Sequence, residues 1–273
     1  MRNCTIVLAL FAMVVLAASG VAPSAAHAAT LLFDDFDNGD IATGGINGGF
    51  GFFDNQWEGA GGPGSVTEAG TVATVTTAGA NNESGIVSTN SFDVKSFPTV
   101  TATWDVTSAD VPDHNGINLT LQENGAHWKQ AAGDPYLRFR FDDQNTFNIY
   151  AEVDGGSQTS LYSDTYTVGD VTDGFTFTAT ITATGWSFTS TGLPSLDDAS
   201  GNWTATHDLD TLFDNSTHIG GFIQQSNSTV DISFDSMEVV GVAEQSIIPE
   251  PSTLLIWSLG LLGLAWFARR RRR

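Results

Sequence analysis

The stretch 175–182 reads Phe-Thr-Phe-Thr-Ala-Thr-Ile-Thr, with apolar side chains at the odd positions and threonine at every even position. An alternation of period two, rich in β-branched and aromatic residues, predicts a strand with one face in a core and the other in solvent. The same alternation returns at 137–141 and 230–235. Further strands are predicted at 71–77, 99–107, 117–122, 147–153, 184–189 and 219–224.

The predicted strands follow one another without a long helical period, and turn signals such as Asp154-Gly155-Gly156 and Asp173-Gly174 separate them. Many short half-buried strands predict an all-β fold with two antiparallel sheets, packed as a jelly-roll sandwich. Helix in residues 31–240 is expected to stay below about a tenth, against the usual third. The absence of an internal repeat favours one domain.

The predicted domain is strongly acidic. The whole chain carries 10 Lys and Arg against 31 Asp and Glu, with a formal net charge of −21. Arg2 and the arginines at 269–273 lie in the two ends, so the stretch between them keeps four basic residues and nearly all of the acids. These four are Lys95, Lys129, Arg138 and Arg140. Such a surface repels nucleic acid and anionic lipid, so neither is expected as a partner.

The first 28 residues have the form of a secretion signal. Arg2 supplies a positive start, an uncharged apolar run extends over 6–18, and Ala26-His27-Ala28 has the A-x-A form that signal peptidase cleaves. We expect the cut after Ala28, with Ala26 as the alternative. The apolar run is short for a membrane span. The single cysteine, Cys4, would leave with the signal, so the mature domain has no thiol chemistry.

The C-terminal end carries three features in a fixed order: Pro249-Glu250-Pro251, an uncharged apolar stretch from Leu254 to Ala268, and the five arginines Arg269, Arg270, Arg271, Arg272 and Arg273. Arginine clusters stay cytoplasmic, so the domain lies on the far side of the inner membrane and the apolar stretch holds it there transiently. A simple tail anchor explains the helix and the arginines, but not the Pro-Glu-Pro. We divide the chain into signal 1–28, passenger 29–240, spacer 241–248 and tail 249–273.

The Pro-Glu-Pro-Ser-Thr run, the short apolar helix and the terminal arginines resemble the sorting signal of the PEP-CTERM family. The resemblance covers only about the last 25 residues. It implies that exosortase, a membrane protease-transpeptidase, recognises Pro249, Glu250 and Pro251 and processes the tail. It also implies export to the cell surface or the extracellular matrix.

The two ends of the passenger resemble the first and last strands of concanavalin-A-like, or laminin-G-like, jelly rolls. The first carries Phe33-Asp34-Asp35-Phe36, and the last carries Phe234-Asp235 with Val239 four residues on. The resemblance implies that these two strands pair with each other.

Intact catalytic motifs are missing. Glycosidases need two carboxylates at a set separation. Jelly-roll glucanases carry them as E-x-D-x-x-E, whereas the segment that starts at Glu152 and Asp154 has Ser157 in the third place. A hairpin turn explains this segment better. His207 and His218 show no ligand spacing and are interpreted as loop residues rather than zinc ligands. We therefore expect that the protein is not an enzyme.

Calcium is the candidate cofactor. Several oxygen-bearing side chains fall within Asp34–Asp40, and calcium takes six to eight oxygen ligands. The candidate ligands are Asp35, Asp37 and Asp40, with Asp235 added if the first and last strands pair. The alternative is a solvated acidic strand that discourages edge-to-edge pairing.

Candidate ligand-binding residues are Trp128, Trp203, Arg138 and Arg140. The two tryptophans lie in polar, loop-like settings, where an exposed indole offers a flat face to a sugar ring. The alternative for both is packing onto the core, as expected for Trp104 and Trp186, which lie in strands. Arg138 and Arg140 share one strand face, and two arginines can hold a carboxylate, for example of an acidic polysaccharide. The alternative is pairing with nearby acids such as Asp142 or Glu152.

These observations predict an exported, non-enzymatic surface or matrix protein with a glycan-binding or structural role in the polysaccharide layer. One alternative is a divergent polysaccharide-active enzyme, a hydrolase or a lyase. Another is a structural coat protein without a ligand.

Overall fold

The alternation at 175–182 is a strand whose phenylalanine, alanine and isoleucine side chains are buried and whose threonines are partly exposed. The computed structural model describes residues 28–56, 64–77, 82–110, 116–125, 134–142, 144–153, 156–213, 216–225, 229–243 and 270. The chain divides into two units: Ala28–Ala243, and the two ends Met1–His27 with Glu244–Arg273. Apart from Arg270, the second unit lies outside the described residues.

Fifteen strands run through the described part of Ala28–Ala243. They are β1 Ala28–Asp34, β2 Phe50–Gln56, β3 Ser65–Ala69, β4 Val72–Thr77, β5 Asn82–Ser88, β6 Thr99–Ala109, β7 Ile117–Gln122, β8 Tyr136–Phe141, β9 Thr146–Glu152, β10 Thr159–Thr165, β11 Phe175–Thr182, β12 Gly185–Thr191, β13 Ala199–Asn202, β14 His218–Gln225 and β15 Val230–Val242. The predicted all-β class is confirmed.

In the described part of Ala28–Ala243, helical structure is confined to three short pieces. A 3₁₀ turn spans Val94–Ser96, α1 spans Val168–Thr172 and α2 spans Leu209–Leu212. Asp208 caps α2, accepting from the Thr211 N–H while the Thr211 hydroxyl accepts from the Asp208 N–H. The expectation of little helix is confirmed for this part of the chain. No helix among the described residues is long and apolar enough to cross a membrane.

Two antiparallel sheets form the sandwich. The eight-stranded sheet has the order β13-β12-β11-β6-β15-β4-β3, and β1 pairs with β15 beside this path. The seven-stranded sheet has the order β10-β9-β8-β7-β14-β5-β2. The predicted pairing of the first and last strands is confirmed, with Ala28 opposite Val242 and Asp34 opposite Met237.

The core fills the space between the two sheets. Phe139 of the seven-stranded sheet contacts Trp104 and Phe177 of the other sheet, with ring centroids 5.8 and 5.0 Å apart. The Trp104 Nε1–H donates to the Gly220 carbonyl at 2.9 Å, so the indole also joins the sheets by a hydrogen bond. Trp104 and Trp186 are both buried, which confirms their predicted place in the core.

The boundaries of the passenger run slightly wider than the sequence suggests. β1 begins at Ala28, so cleavage after Ala28 would remove the first residue of the strand, whereas cleavage after Ala26 would leave it whole. β15 continues to Val242, two residues into the predicted spacer. The cleavage residue Ala26, the Pro249-Glu250-Pro251 motif, the apolar stretch from Leu254 to Ala268 and the arginines other than Arg270 lie outside the described residues.

Candidate functional site

The seven-stranded sheet has one face in the core and a second face that is rich in polar and aromatic side chains. In β7 and β8 the core face takes Leu119, Leu121, Leu137, Phe139 and Phe141. The alternate positions of four neighbouring strands form the opposite face, which we call the polar face. Its residues are Asn118, Thr120, Gln122, Tyr136, Arg138, Arg140, Asn148, Tyr150, Glu152, His218 and Phe222. The predicted placement of Arg138 and Arg140 away from the core is confirmed.

Arg138 is held tightly at the centre of the polar face. Its Nη2 donates to Gln158 Oε1 at 2.7 Å, and the Tyr136 hydroxyl donates to the same oxygen at 3.1 Å. The guanidinium carbon lies 5.6 Å from the ring centroid of Tyr136 and 5.1 Å from that of Tyr150, within cation–π range. Arg138 is only 2 % exposed, and this burial, together with the nearby charge of Arg140, lowers the pKa of its guanidinium.

Arg140 has a different environment. It is partly exposed and lies directly opposite Asn118 of β7 and Asn148 of β9. Its Nε is buried and has no hydrogen-bond partner among the described residues, and the same holds for Oδ1 of Asn118. The Asn118 amide nitrogen, by contrast, donates to the Gly116 carbonyl at 2.8 Å.

Pairing of Arg138 or Arg140 with Asp142 or Glu152 stays an alternative. The ion pair seen among the described residues joins Lys95 and Asp210, at 3.7 Å. Asp142 accepts from the N–H groups of Gln144 and Thr146 at 3.1 and 3.0 Å, which closes the turn between β8 and β9. Glu152 lies opposite Tyr136 in β9.

The carboxylates near the polar face come from its flanking strands, and one of them, Glu83, acts electrostatically on Arg138. The three adjacent strands β8, β7 and β14 contain no Asp or Glu. The acids Glu83 and Glu152 lie in β5 and β9, the strands on either side of these three. The central strands therefore carry cations, amides and aromatic rings on this face. Most of these side chains are buried, whereas Arg140 is partly exposed.

His218 is a strand residue rather than a loop residue, which corrects the sequence interpretation. It is the first residue of β14 and is buried, with its Nδ1–H donating to the Ser88 carbonyl at 2.6 Å. Burial lowers the pKa of the imidazole. Among the described residues no group of three or more His, Cys, Asp or Glu side chains is placed to hold a metal ion.

Trp203, one of the two tryptophans predicted to bind a ligand, lies apart from the polar face. Trp203 is partly buried against the core, and its Nε1–H donates to the Thr182 carbonyl at 2.7 Å. Trp203 directly follows β13, a strand of the eight-stranded sheet. Trp128 lies outside the described residues.

The acidic stretch after β1 is organised around one buried carboxylate. Asp34 is 1 % exposed and accepts from the N–H groups of Phe36 and Gly49 at 3.0 and 2.8 Å, and burial raises its pKa. A Cβ on Gly44 would lie 2.3 Å from its Oδ2, so only glycine fits there. Asp34 therefore stabilises the loop that follows β1.

The candidate calcium ligands further along this stretch show separate contacts. Asp40 Oδ1 accepts from the Ala42 N–H at 3.1 Å, and Asp235 Oδ1 accepts from the Thr71 hydroxyl at 3.3 Å. Calcium binding by Asp35, Asp37, Asp40 and Asp235 therefore stays a prediction.

The sequence interpretation did not select Asn118, Asn148, Tyr136, Tyr150 and Gln158. A signal for the two asparagines was present, because each lies between apolar residues within a predicted strand, in Ile117-Asn118-Leu119 and Phe147-Asn148-Ile149. A polar side chain at such a position faces away from the core by the period of the strand. Their position beside Arg140 depends on register, which the sequence does not specify.

Solved structures with the same architecture identify the fold class. The glucanase SCLam, described as a non-specific endo-β-1,3(4)-glucanase from family GH16, is 8% identical, with a TM-score of 0.53 over 81% of this chain and 94% of that one. The Ca²⁺-bound exoplasmic/lumenal domain of VIP36 is 8% identical, with a TM-score of 0.55 over 80% and 92%. A Lotus tetragonolobus seed lectin is 12% identical, with a TM-score of 0.52 over 79% and 100%. The fold is that of the concanavalin-A-like jelly rolls, the class that these lectins and glucanases share.

The family comparison concerns the C-terminal end. Residues 248–273 match the PEP-CTERM protein-sorting motif, as the Pro-Glu-Pro, apolar and arginine features predict. The chain is thus an exported protein with a tail for exosortase, sorted to the cell surface or the extracellular space. No curated protein matches the sequence of the chain.

Proposed function

We propose that the protein binds a glycan of the extracellular polysaccharide layer through its polar face, without chemical conversion of the glycan. The observation that carries the proposal is the composition of this face: arginine, amide and tyrosine side chains line the central strands of a sheet in an otherwise acidic, exported protein. Amides and arginines hydrogen-bond to sugar hydroxyls and carboxylates, and tyrosine rings offer flat apolar surfaces.

The distribution of carboxylates favours binding over hydrolysis. A glycosidase needs an acid and a second carboxylate about 5–10 Å apart, flanking the scissile bond. The central strands β8, β7 and β14 supply neither. The lectins and glucanases of similar fold do not decide between binder and enzyme, because an architecture of this kind hosts both functions.

Calcium belongs to this proposal as a structural ion of the loop that follows β1. Its support is the pairing of β1 with β15, in which Met237 lies opposite Asp34, so that Asp235 is close to the start of the acidic stretch. The ion would tie this loop to the last strand, and it takes no part in glycan binding at the polar face.

A binding assay with a turnover control tests the function. The full chain, kept in a mild detergent because of its apolar 254–268 stretch, is screened on a glycan array, and soluble glycans that bind are incubated with it and analysed for new chain ends. We expect binding without turnover above that of the heat-denatured protein. New chain ends would establish the polysaccharide-active enzyme instead, and a lack of binding to every glycan would leave the structural coat protein.

A further inference from the structure

The two arginines of the polar face differ in their contacts and in their exposure. Arg138 is 2 % exposed and lies against Gln158 and the rings of Tyr136 and Tyr150. Arg140 lies two residues on along β8, is partly exposed, and forms no ion pair with a described acid. It is therefore the arginine that can meet a ligand.

Arg140 is the centre of a short cross-strand row. Asn118, Arg140 and Asn148 occupy directly opposite positions on β7, β8 and β9, and we call them the arginine row. Side chains at such positions have Cβ atoms about 4.5–5.5 Å apart, so one amide lies on each side of Arg140 and the row is about 9–11 Å long. Asn118 and Asn148 are buried, and Arg140 is the partly exposed member of the row. The row sits between Thr120 and Arg138 on one side and the turn at Asp142 on the other.

The arginine row holds unused hydrogen-bonding capacity. The Arg140 Nε–H and the Asn118 Oδ1 are buried, and neither has a partner among the described residues. A buried polar atom without a partner costs about 1–3 kcal/mol, so native proteins seldom keep one without a reason. One donor on a guanidinium and one acceptor on the adjacent amide match a carboxylate that lies next to a hydroxyl.

We propose that the arginine row binds the carboxylate of an acidic polysaccharide, a polymer of uronic acid units, with Arg140 on the carboxylate and Asn118 and Asn148 on neighbouring hydroxyls. This inference rests on the proposed glycan-binding function and names its ligand class. The planar guanidinium offers two parallel N–H groups to a carboxylate, a geometry that lysine lacks.

Because the protein has a negative net charge, its selectivity for a carboxylate has to come from short-range contacts with the arginine row. The chain has a formal net charge of −21, which repels a polyanion at low ionic strength. At 0.15 M salt the Debye length is about 8 Å, so distant acids are screened while the contact with Arg140 is not. Binding at physiological salt therefore depends on the row itself rather than on long-range attraction.

A matched pair of polymers tests the inference. Polygalacturonate and its fully methyl-esterified form differ in the charge of the carboxyl group, and both are titrated into the full chain in detergent at 0.15 M salt. We expect the acid form to bind at least about tenfold more tightly than the ester, because the ester forms only neutral hydrogen bonds with the guanidinium. Dextran sulfate and unmodified dextran serve as the second pair.

Three variants complete the test. Arg140→Gln should weaken binding of the acid form about tenfold or more, and Arg140→Lys should also weaken it, since a lysine cannot form the bidentate contact. Lys95→Gln removes the same charge at the remote ion pair with Asp210 and should leave binding unchanged. Thermal unfolding of each variant checks that the fold is intact.

Equal binding of acid and ester, or an unchanged affinity of Arg140→Gln, would overturn the carboxylate inference while glycan binding itself stands. Dextran sulfate bound as tightly as polygalacturonate, or an equal loss in Lys95→Gln, would also overturn it, because charge alone would then attract the polymer. If neither these polymers nor any neutral glycan binds, the proposed function fails as well.

Discussion

At the scale of single residues, Arg138 and Arg140 show how two like side chains on one strand face acquire different roles. Arg138 is enclosed by aromatic rings and a glutamine, so its charge helps to hold the sheet surface together. Arg140 is bordered by two asparagines and is partly exposed. The difference arises from cross-strand neighbours, since Arg138 lies opposite Tyr150 and Arg140 lies opposite Asn148.

This difference predicts unequal effects on stability. Arg138→Ala should lower the free energy of unfolding by about 2–3 kcal/mol, because it leaves a cavity and removes a hydrogen bond to a charged donor and two ring contacts. Arg140→Ala should lower it by less than about 1 kcal/mol, as expected of a partly exposed side chain. Urea unfolding of the two variants measures both values. Equal losses would contradict the assignment of a structural role to Arg138 alone.

His218 predicts a component of the acid sensitivity. Burial lowers the pKa of its imidazole in the folded state, so the unfolded state binds the proton more readily. The stability contributed by the neutral ring is therefore complete above the unfolded pKa of about 6.5 and is lost as the pH falls through it. Each unit by which the folded pKa lies lower corresponds to about 1.4 kcal/mol.

His218→Gln tests this dependence. Because the variant also loses the hydrogen bond to Ser88, its stability falls at every pH, and the readout is the slope of the unfolding free energy between pH 7.5 and 5. We expect a shallower slope than in the natural protein. An unchanged slope would assign the acid sensitivity to other groups.

The sequence predicts part of this residue-level arrangement. Period two places Arg138 and Arg140 on the face away from the core, because their neighbours Leu137, Phe139 and Phe141 are apolar. It does not indicate which cation is enclosed, since Tyr150 and Gln158 come from later parts of the chain. Trp203 shows the same limit: its polar neighbours in sequence conceal the fact that the indole lies against the core.

At the scale of elements, the loop between β1 and β2 is closed by Asp34, whose two oxygens accept from Phe36 and Gly49. The loop also reaches another element, since the Gly39 N–H donates to Glu68 of β3. These contacts fix the loop beside β15, where Asp235 accepts from Thr71. A cation there would join three elements and offset their negative charges.

Calcium should therefore raise the melting temperature of the protein more than magnesium does at equal ionic strength. Ligand at 100 times its Kd stabilises by about 2.7 kcal/mol, which is about 5–10 °C for a domain of this size. Asp35→Ala with Asp37→Ala should remove the difference between the ions. Differential scanning calorimetry measures the shifts.

The control variant is Asp173→Ala with Asp197→Ala, which removes two exposed carboxylates outside this loop. It should retain the difference between calcium and magnesium. Equal shifts with both ions in the natural protein would leave the acidic stretch as a solvated edge.

Strands buried on one full face were predicted well, and edge strands were not. The predicted ranges for β7 and β11 agree with the structure, whereas β2, β3, β10 and β13 were missed. All four lie at the edges of the sheets, where a strand has a neighbour on one side only and exposes more of its length. Their hydrophobic alternation is therefore weak. β5 was missed for a different reason: it lies inside the sheet, but it begins with Asn-Glu-Ser-Gly and so lacks apolar alternation.

At the scale of the whole molecule, both ends are expected to be processed. We predict a mature protein that begins near Ala29 and lacks Arg269–Arg273. The reason is that an A-x-A cleavage site lies just before Ala29 and a sorting motif lies before the arginines. Intact mass spectrometry of the protein from a host with exosortase checks this. A mass that includes both ends would contradict it, and an exosortase-deficient strain should retain the arginines.

The pairing of β1 with β15 imposes an order of events on secretion. A chain threaded through the membrane from its N-terminus delivers β1 first, yet the strand against which β1 forms its ladder is the last of the domain. β6 also lacks one of its neighbours until then, because β15 pairs with it in the eight-stranded sheet. In a chain exported in this way, the sandwich can thus be completed only after about residue 242 has emerged.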